Sequence, residues 1–395
     1  MNLSVCLLSR KENPNLARSL ASVCETADEI IVTDTCASEQ VQGIARQFRA
    51  RVSAFPWCDD CAAARNHCLD QAEGDWILWM DADEVLLPRQ GRDLKSMLKN
   101  PEALAYSISC QEMADGDNLE RFTQSWQLRL FRNRQDLRYL GRCLPHFEPP
   151  IQEIGKSENL TILPSSITLR HVGSDSRLHR ERLHQTMKLL ELELRERPGQ
   201  LPYLIEYGRT RLALGDPGAP QILAEAAKQA VQSWEEDKTP PPEVATLLEY
   251  LLQLRPNDLP GHLTPKAVKS MVHGWFPRAA SLQWILAREA LVQGEFFEAE
   301  KVLRKLVRLG QEQTFDHYVS FEPRVIMEDA VLNLGVCLFR LGKYHEAEEC
   351  FQQLLENGVR VKEALSNLKV MHKTKSKSDL SALPEAKLNF EISRR

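Results

Sequence analysis

The sequence predicts a two-domain protein: an α/β domain with a mostly parallel sheet, followed by an all-α domain of helical repeats. From Leu3 to Met80, short apolar runs alternate with stretches of helical apolar spacing, which is typical of β-α-β units and hence of a parallel sheet. Between Ala330 and Gly358, small and large apolar residues follow the spacing of a tetratricopeptide hairpin. The chain has 395 residues, enough for two ordinary domains.

The N-terminal part contains four apolar runs with the lengths and flanking residues of buried strands. We predict strands at 3–8, 29–33, 52–55 and 76–80, and helices between them at 15–23, 41–48 and 61–72. Further strand-like segments at 126–131, 161–163 and 167–172 are expected to complete the sheet. Ligands of parallel sheets bind beyond the carboxyl ends of the strands, so the polar residues at 9–12, 34 and 81–84 are the site candidates.

The second half of the chain is dominated by helical patterns. A charged helix is predicted over 177–197, the hairpin pattern recurs over 287–299, and it is faint around Tyr207 and Gly215. A single hairpin cannot bury its apolar face, so such units must stack on neighbours. We therefore assign 1–175 to the α/β domain, 176–372 to tetratricopeptide-like repeats and 373–395, rich in Lys, Ser, Glu and Arg, to a disordered tail. The proline-rich stretch 237–242 is predicted to be a loop.

The composition excludes several classes of protein. With 43% hydrophobic and 27% charged residues and a formal charge of -5, the chain has the profile of a soluble globular protein without a basic surface for nucleic acid. The first apolar run is too short for a signal peptide, and no segment approaches the roughly 20 apolar residues of a membrane span. These features predict a cytoplasmic protein with no transmembrane segment.

Ten cysteines are present, and in a reducing compartment they are expected to be free thiols. Cys58, Cys61 and Cys68, with His67, leave a zinc site open as one interpretation. The alternative is three packed or partly exposed thiols.

Gly74-Asp-Trp-Ile-Leu-Trp-Met-Asp-Ala-Asp-Glu84 is the most informative stretch. If its extended geometry continues past the apolar run, Asp81 and Asp83 project from the same face and Ala82 points away. Carboxylates suit Mg²⁺ or Mn²⁺, which proteins usually hold with one or two carboxylates and substrate phosphates. Such an ion would neutralise a departing diphosphate. The alternative is a strand that simply ends in solvated acids.

Four motifs in order resemble those of the family 2 glycosyltransferases of the GT-A fold, in the bacterial subgroup with C-terminal tetratricopeptide repeats. The resemblance spans residues 3–173 and is carried by four segments: Leu7-Leu-Ser-Arg-Lys-Glu12, Asp34-Thr35, Ala64-Arg65-Asn66 and the acidic stretch ending at Glu84. An ordered set of motifs is far more specific than any one of them.

The resemblance implies a nucleotide-sugar donor, with Mn²⁺ or Mg²⁺ as cofactor, and a role for each matching position. The nucleotide-sugar-binding residues would be Ser9, Glu12, Asp34, Arg65 and Asp81. Of these, Ser9 and Glu12 would line the nucleotide pocket, Asp34 would hold the base or ribose, Arg65 would approach the diphosphate and Asp81 would contact the ribose. Asp83 and His171 would bind the metal. The acceptor, whether a glycan, a lipid-linked molecule or a peptide, is not identified, and the repeats would contact a protein partner.

Two departures from the family pattern bear on activity. Cys36-Ala-Ser-Glu39 stands where relatives commonly have Gly-Ser-Thr-Asp, and Gly141-Arg-Cys-Leu-Pro145 lacks their His-Glu pair. An inverting transfer needs a general base for the acceptor hydroxyl, and His146 and Glu148 are the candidates downstream. The alternative is a catalytically impaired nucleotide-sugar-binding or scaffold protein. A dinucleotide-dependent oxidoreductase is disfavoured, since no G-x-G-x-x-G follows the first strand.

Overall fold

The structure is a computed structural model that describes residues 1–9, 14–113, 121–172, 176–233 and 240–376. It separates into two compact units, Met1–Gln229 and Ala230–Arg395. This division falls inside a helix and lies C-terminal to the predicted boundary at 175/176, which stays a prediction. Of the predicted tail at 373–395, residues 373–376 are helical and the rest lie outside the described residues.

The first unit is organised around one large sheet and a short hairpin. The strands are β1 (Leu3–Ser9), β2 (Glu29–Asp34), β3 (Arg51–Ala54), β4 (Trp76–Asp81), β5 (Glu84–Leu86), β6 (Ala103–Met113), β7 (Phe122–Arg132), β8 (Tyr139–Leu140), β9 (His146–Phe147) and β10 (Thr161–His171). Eight of these described strands form a sheet in the order β3-β2-β1-β4-β7-β6-β10-β5, and β8 pairs with β9.

The sheet is mostly parallel, as predicted. The parallel pairs are β1 with β2 and β4, β2 with β3, and β6 with β10. β7 runs antiparallel to both of its neighbours, so β4 and β6 point the same way. The carboxyl ends of β1, β2, β4, β6 and β10 therefore meet at one edge of the sheet.

Helices flank the sheet and form most of the second unit. They are α1 (Leu16–Val23), α2 (Glu39–Gln47), α3 (Cys61–Asp70), α4 (Gly91–Met97), α5 (Ile151–Glu158), α6 (Ser176–Glu196), α7 (Leu201–Ala213), α8 (Ala219–Ser233), α9 (Pro242–Gln253), α10 (Pro265–Trp275), α11 (Ala280–Gln293), α12 (Phe296–Glu312), α13 (Glu328–Arg340), α14 (Tyr344–Glu356) and α15 (Val361–Ser376). Within the described residues, none of these helices is both long and apolar enough to cross a membrane.

Two apolar layers cover the two faces of the sheet. Successive residues of β1 and β4 contribute to opposite layers: Val5 and Leu78 lie in one, Cys6 and Trp79 in the other. Strands buried on both faces read as continuous apolar runs in sequence. This is why the central strands were predictable to within a residue or two.

The second half of the sheet differs from the prediction. The segment at 126–131 belongs to an eleven-residue strand, β7. The segments at 161–163 and 167–172 belong to one eleven-residue strand, β10, which ends at His171, and β6 was not predicted. β10 contains Pro164, and its pairing with β6 shifts register between Pro164 and Thr168. An interrupted ladder of this kind breaks the alternation on which strand prediction depends.

The helical unit contains two hairpins with the same turn. Gly294 ends α11 with a φ of 74° and Gly342 follows α13 with a φ of 76°, a backbone conformation that glycine adopts without strain. The hairpins α11–α12 and α13–α14 coincide with the two stretches predicted to be repeats.

We predict that Gly335→Ala destabilises the helical unit by about 1–3 kcal/mol, since overpacking a core displaces its neighbours. A Cβ at Gly335 would lie 2.7 Å from Cε1 of the buried Phe351. Gly274→Ala in α10 is the matched control, because no atom lies within 4 Å of its Cβ position. The thermal midpoint measures both variants. If Gly335→Ala and Gly274→Ala had the same thermal midpoint, the assigned contact between α13 and α14 would be contradicted.

Candidate functional site

Polar residues meet at the carboxyl edge of the sheet. Ser9 and Asp34 are paired in register at the ends of β1 and β2, and Leu8 of β1 is paired with Asp81 at the end of β4. The structure thus brings Ser9, Asp34 and Asp81 to adjacent strand ends. Glu12, predicted to lie beside them, is outside the described residues.

Asp81 is held by two guanidinium groups. Nη2 of Arg129 lies 3.1 Å from Oδ2 of Asp81, and Nη2 of Arg65 lies 3.6 Å from Oδ1. Burial alone would raise the pKa of the Asp81 carboxyl. The charges of Arg129 and Arg65 outweigh that effect and hold the pKa of Asp81 below its ordinary value. Asp81 is therefore a carboxylate at any physiological pH.

Arg129 also neutralises Glu84, the first residue of β5. Its Nη2 lies 3.2 Å from Oε1 of Glu84, and Oε2 of Glu84 accepts the Asp81 backbone N–H at 2.8 Å. Burial is the main cause that raises the pKa of Glu84 to about 7, opposed by the charge of Arg129. Sequence reasoning missed Arg129. Its signal was a charged residue inside the otherwise apolar Leu128–Phe131 segment.

Asp83 faces the end of β10 rather than β7. β4 ends at Asp81, and the chain turns through Ala82 and Asp83 before β5 begins. The sequence predicted that both acids project from one face of an extended strand. That prediction is wrong, because the strand ends at Asp81. Nε2 of His171 lies 3.0 Å from Oδ2 of Asp83, and the Val172 N–H donates to the Asp83 carbonyl at 2.7 Å.

The Asp83–His171 pair has the spacing of two neighbouring metal ligands. Ligands about 2.1 Å from an octahedral Mg²⁺ stand about 3.0 Å apart along one edge, which is the separation of these two atoms. The hydrogen bond with Asp83 is the main cause that raises the pKa of His171. Within the described part of the chain, no three His, Cys, Asp or Glu side chains form a metal-binding group. Other ligands would come from substrate or water.

Arg65 is fixed by aromatic rings. It lies on α3, whose N-terminus is capped by Asp60 through the Ala63 N–H at 2.9 Å. Its guanidinium carbon stands 4.6 Å from the Trp79 ring centroid and 5.0 Å from that of Tyr139, within cation–π range. The guanidinium is thereby oriented toward the end of β4.

Asp34 organises the loop that follows its own strand. Its two carboxylate oxygens accept the backbone N–H groups of Cys36 at 2.9 Å and Ser38 at 2.7 Å. The loop contains Ala37 at a φ of 51°, a left-handed conformation that is costly for any residue with a Cβ. Relatives commonly have glycine at the position of Cys36. In this chain the strained residue is the next one, Ala37.

Comparisons with known proteins agree with this geometry. Residues 4–147 match the model of glycosyl transferase family 2, and residues 329–357 match that of the tetratricopeptide repeat. Over residues 4–147 the N-terminal domain is similar to glycosyl transferase family 2, and it is called the family 2 domain from here on. With the sheet order described above, the predicted fold class, a GT-A domain followed by helical repeats of the tetratricopeptide type, is confirmed.

The similar proteins include a repeat-containing protein and a glycosyltransferase. A TPR repeat-containing protein of Synechococcus elongatus is 32% identical over 266 residues, which are 65% of this chain and 63% of that protein. An uncharacterized glycosyltransferase of Rickettsia felis is 33% identical over 125 residues, 30% of this chain and 43% of its own length. Among solved structures, residues 1–349 of S. aureus TarS align with 15% identity over 80% of this chain and 92% of that chain, with a TM-score of 0.33.

The two residues predicted as general base lie at the β8–β9 hairpin of the family 2 domain. Tyr139 and Phe147 are cross-strand partners whose rings stack at 4.6 Å, so His146 lies on the opposite face. Its Nδ1 lies 3.2 Å from the Leu144 carbonyl. Glu148 is exposed. Within the described residues, no hydrogen bond or ion pair joins either side chain to Asp81 or Asp83, and both roles stay predictions.

The cysteines predicted as an alternative metal site are separated by burial. Cys68 is fully buried in the core, Cys58 is exposed and Cys61 is half-buried. His67 lies 2.6 Å from the Ser53 hydroxyl through its Nε2. This arrangement agrees with packed and partly exposed thiols.

We predict that Arg129→Met destabilises the family 2 domain by about 3–5 kcal/mol at pH 8, because it leaves the buried Glu84 without its cation and Asp81 with Arg65 alone. The loss should be smaller at pH 5.5. The pKa of Glu84 is already raised to about 7, and its neutral form needs no counterion, so the destabilisation grows as the pH rises through that value.

Urea unfolding at both pH values measures the effect. Arg209→Met, which breaks a surface pair with Glu206, is the control and should cost less than about 1 kcal/mol at either pH. A pH-independent loss for Arg129→Met would contradict the assigned role of Glu84.

We predict that Ala37→Gly stabilises the same domain by about 1 kcal/mol, because glycine adopts a positive φ without a Cβ clash. Ala37→Val should destabilise it, since a β-branched residue is strained there. Thermal midpoints of both variants test this. Midpoint shifts of the same sign would argue against a left-handed residue at this position.

Proposed function

We propose that this chain is a glycosyltransferase that moves a sugar from a nucleotide-sugar donor to an acceptor. The observation that supports this best is the acidic end of β4 in a family 2 domain. There Asp81 and the Asp83–His171 pair stand at the carboxyl edge of a mostly parallel sheet, where such folds bind their ligands. Fold alone would not be sufficient, because one fold serves many reactions.

The donor would lie along this edge. Ser9, Asp34 and the described part of the first loop would contact the base and ribose, and Asp81 would accept a hydrogen bond from a ribose hydroxyl. Arg65, held by its aromatic neighbours, is suited to a phosphate oxygen because its planar guanidinium offers paired donors. Glu12 belongs to the same proposal through the family motif.

Mn²⁺ or Mg²⁺ would be held by Asp83 and His171, whose 3.0 Å spacing fits one edge of an octahedral site. Such an ion, when bound, would neutralise charge on the leaving diphosphate. Arg129 and Glu84 would position this site, because they bind Asp81 and so hold the turn that carries Asp83.

The stereochemical course and the acceptor are further parts of the proposal. Inversion requires a base on the acceptor side, and His146 and Glu148 remain the candidates from sequence. A glycan, a lipid-linked molecule or a peptide would each present a hydroxyl of suitable chemistry. We propose that the reaction takes place in the cytoplasm, which the composition supports.

We predict that Asp83→Asn lowers metal-dependent turnover of a nucleotide sugar at least about 100-fold, because it removes a charged ligand at the reacting diphosphate. Hydrolysis of UDP-sugars and GDP-sugars with Mn²⁺ is the measurement, since it needs no acceptor. Calorimetric titration with Mn²⁺ in the presence of UDP or GDP provides a second readout.

Asp93→Asn is the matched control, because Asp93 is an exposed acid on α4 of the same domain. It should retain full activity and metal binding. If the unmodified protein neither binds nor hydrolyses any common nucleotide sugar with Mn²⁺, the proposed function is wrong.

A second candidate function is that of a scaffold whose helical repeats bind another protein while the family 2 domain is catalytically impaired. A cavity of about 740 Å³ favours it, lined mainly by apolar residues at the turns of the α11–α12 and α13–α14 hairpins. Val292, which lines the cavity, is 66% exposed, and Phe297, next to the lining residue Phe296, is 77% exposed, so the two add apolar surface at the same turn.

Complementation of a deletion strain separates the two candidates. A scaffold would tolerate Asp83→Asn and lose function with Val292→Asp or Phe297→Asp. A glycosyltransferase would lose function with Asp83→Asn.

A further inference from the structure

The helix that follows β10 places a cation at the metal-binding pair. Nη1 of Arg182, on α6, lies 3.9 Å from Oδ2 of Asp83, the same oxygen that faces His171. α6 belongs to the stretch that sequence assigned to the helical repeats, outside the family 2 match at residues 4–147. No motif of the resemblance includes this arginine.

Three arginines contact the acids Asp81, Asp83 and Glu84, and they differ in how far their side chains are exposed to solvent. The side chain of Arg129 is 9% exposed and that of Arg65 is 18% exposed, whereas that of Arg182 is 45% exposed. Arg129 is occupied by two carboxylates, and Arg65 lies against two rings. Arg182 is the one of the three whose guanidinium stands in solvent at the mouth of the site.

The C-terminal half of α6 is anchored to two loops of the first unit. The buried Glu193 accepts the Arg142 backbone N–H at 2.8 Å, and the Arg142 guanidinium forms two hydrogen bonds with Glu196, at 3.0 and 2.7 Å. Lys188 bonds Asp59 at 2.6 Å. These partners precede α3 or lie beside the β8–β9 hairpin.

The anchoring has a geometric consequence. A helix rises 1.5 Å per residue, so Arg182 stands about 9 Å along the axis from Lys188. α6 is therefore bound near the N-terminus of α3, the helix of Arg65, and also reaches the turn that carries Asp83. Two arginines from different elements face one edge of the sheet from two sides.

We propose that Arg182 binds the diphosphate of the donor, with its guanidinium donating hydrogen bonds to the phosphate that is attached to the sugar. This inference rests on the proposed function and deepens it. An anion bound at the Asp83–His171 pair through a divalent ion would lie within reach of the Arg182 guanidinium, whose fork geometry matches phosphate oxygens. The first helix after β10 is then part of the donor site, with Arg182 as a binding residue.

The assignment makes a prediction that distinguishes diphosphates from monophosphates. In calorimetric titrations with Mn²⁺, Arg182→Ala should weaken binding of UDP or GDP about 10-fold or more, the loss expected for one charge-assisted hydrogen bond. Binding of UMP or GMP should change less than about 2-fold, since the monophosphate lacks the second phosphate. Arg182→Lys should bind the diphosphate more weakly than the unmodified protein and more tightly than Arg182→Ala, because lysine keeps the charge but lacks the paired N–H donors of a guanidinium.

Arg195→Ala is the matched control: it removes the same charge from an exposed position near the other end of α6. It should leave diphosphate binding unchanged. The thermal midpoint of Arg182→Ala should also be unchanged, because a partly exposed ion pair contributes little to stability.

Two results would overturn the inference. Equal weakening of UDP and UMP binding by Arg182→Ala would assign the residue to the nucleoside or to the fold, and unchanged UDP binding would remove it from the site. Both require that the unmodified protein binds the nucleotides. If it binds none of UDP, GDP, UMP and GMP with Mn²⁺, the proposed function itself fails.

Discussion

The buried guanidinium of Arg129 is the interaction on which the site depends. It comes from β7, the antiparallel strand inserted between β4 and β6, and it reaches both Asp81 and Glu84. Without it, Glu84 would be a buried acid with no counterion beside the carboxylate of Asp81. The desolvation cost of one buried cation is offset by two carboxylates, and these in turn fix the turn between β4 and β5.

That turn decides what each acid can do. Asp81 stays on the β4 side, with Arg129 and Arg65, and its pKa is held below the ordinary value. Asp83 lies on the other side of the turn, beside His171 at the end of β10. A single tripeptide thereby supplies one permanently charged acceptor and one acid that is paired with a histidine and that we propose as a metal ligand. The division follows from β5, which pairs antiparallel with β10 and brings His171 opposite Glu84.

The helical part begins as an extension of the site rather than as a separate module. α6 is bound to the loops around α3 and the β8–β9 hairpin by Arg142, Glu193 and Lys188. The compact unit that contains the sheet accordingly extends to Gln229. The assignment of residues 176–372 to the repeats rested on helical apolar spacing and stays a prediction. The contacts of α6 connect this one helix with loops of the first unit.

The sequence by itself determined the central strands, the acidic end of β4 and the helical hairpin at 330–358. Strands buried on both faces must be continuously apolar, and a hairpin turn with a positive φ favours glycine, so both leave local marks. Only the tertiary structure decided that Arg129 neutralises Asp81 and Glu84, that Asp83 pairs with His171 and that Arg182 reaches Asp83. These partners lie 45 to 99 residues apart in the chain, and local pattern carries no information on which distant strand or helix a side chain will meet.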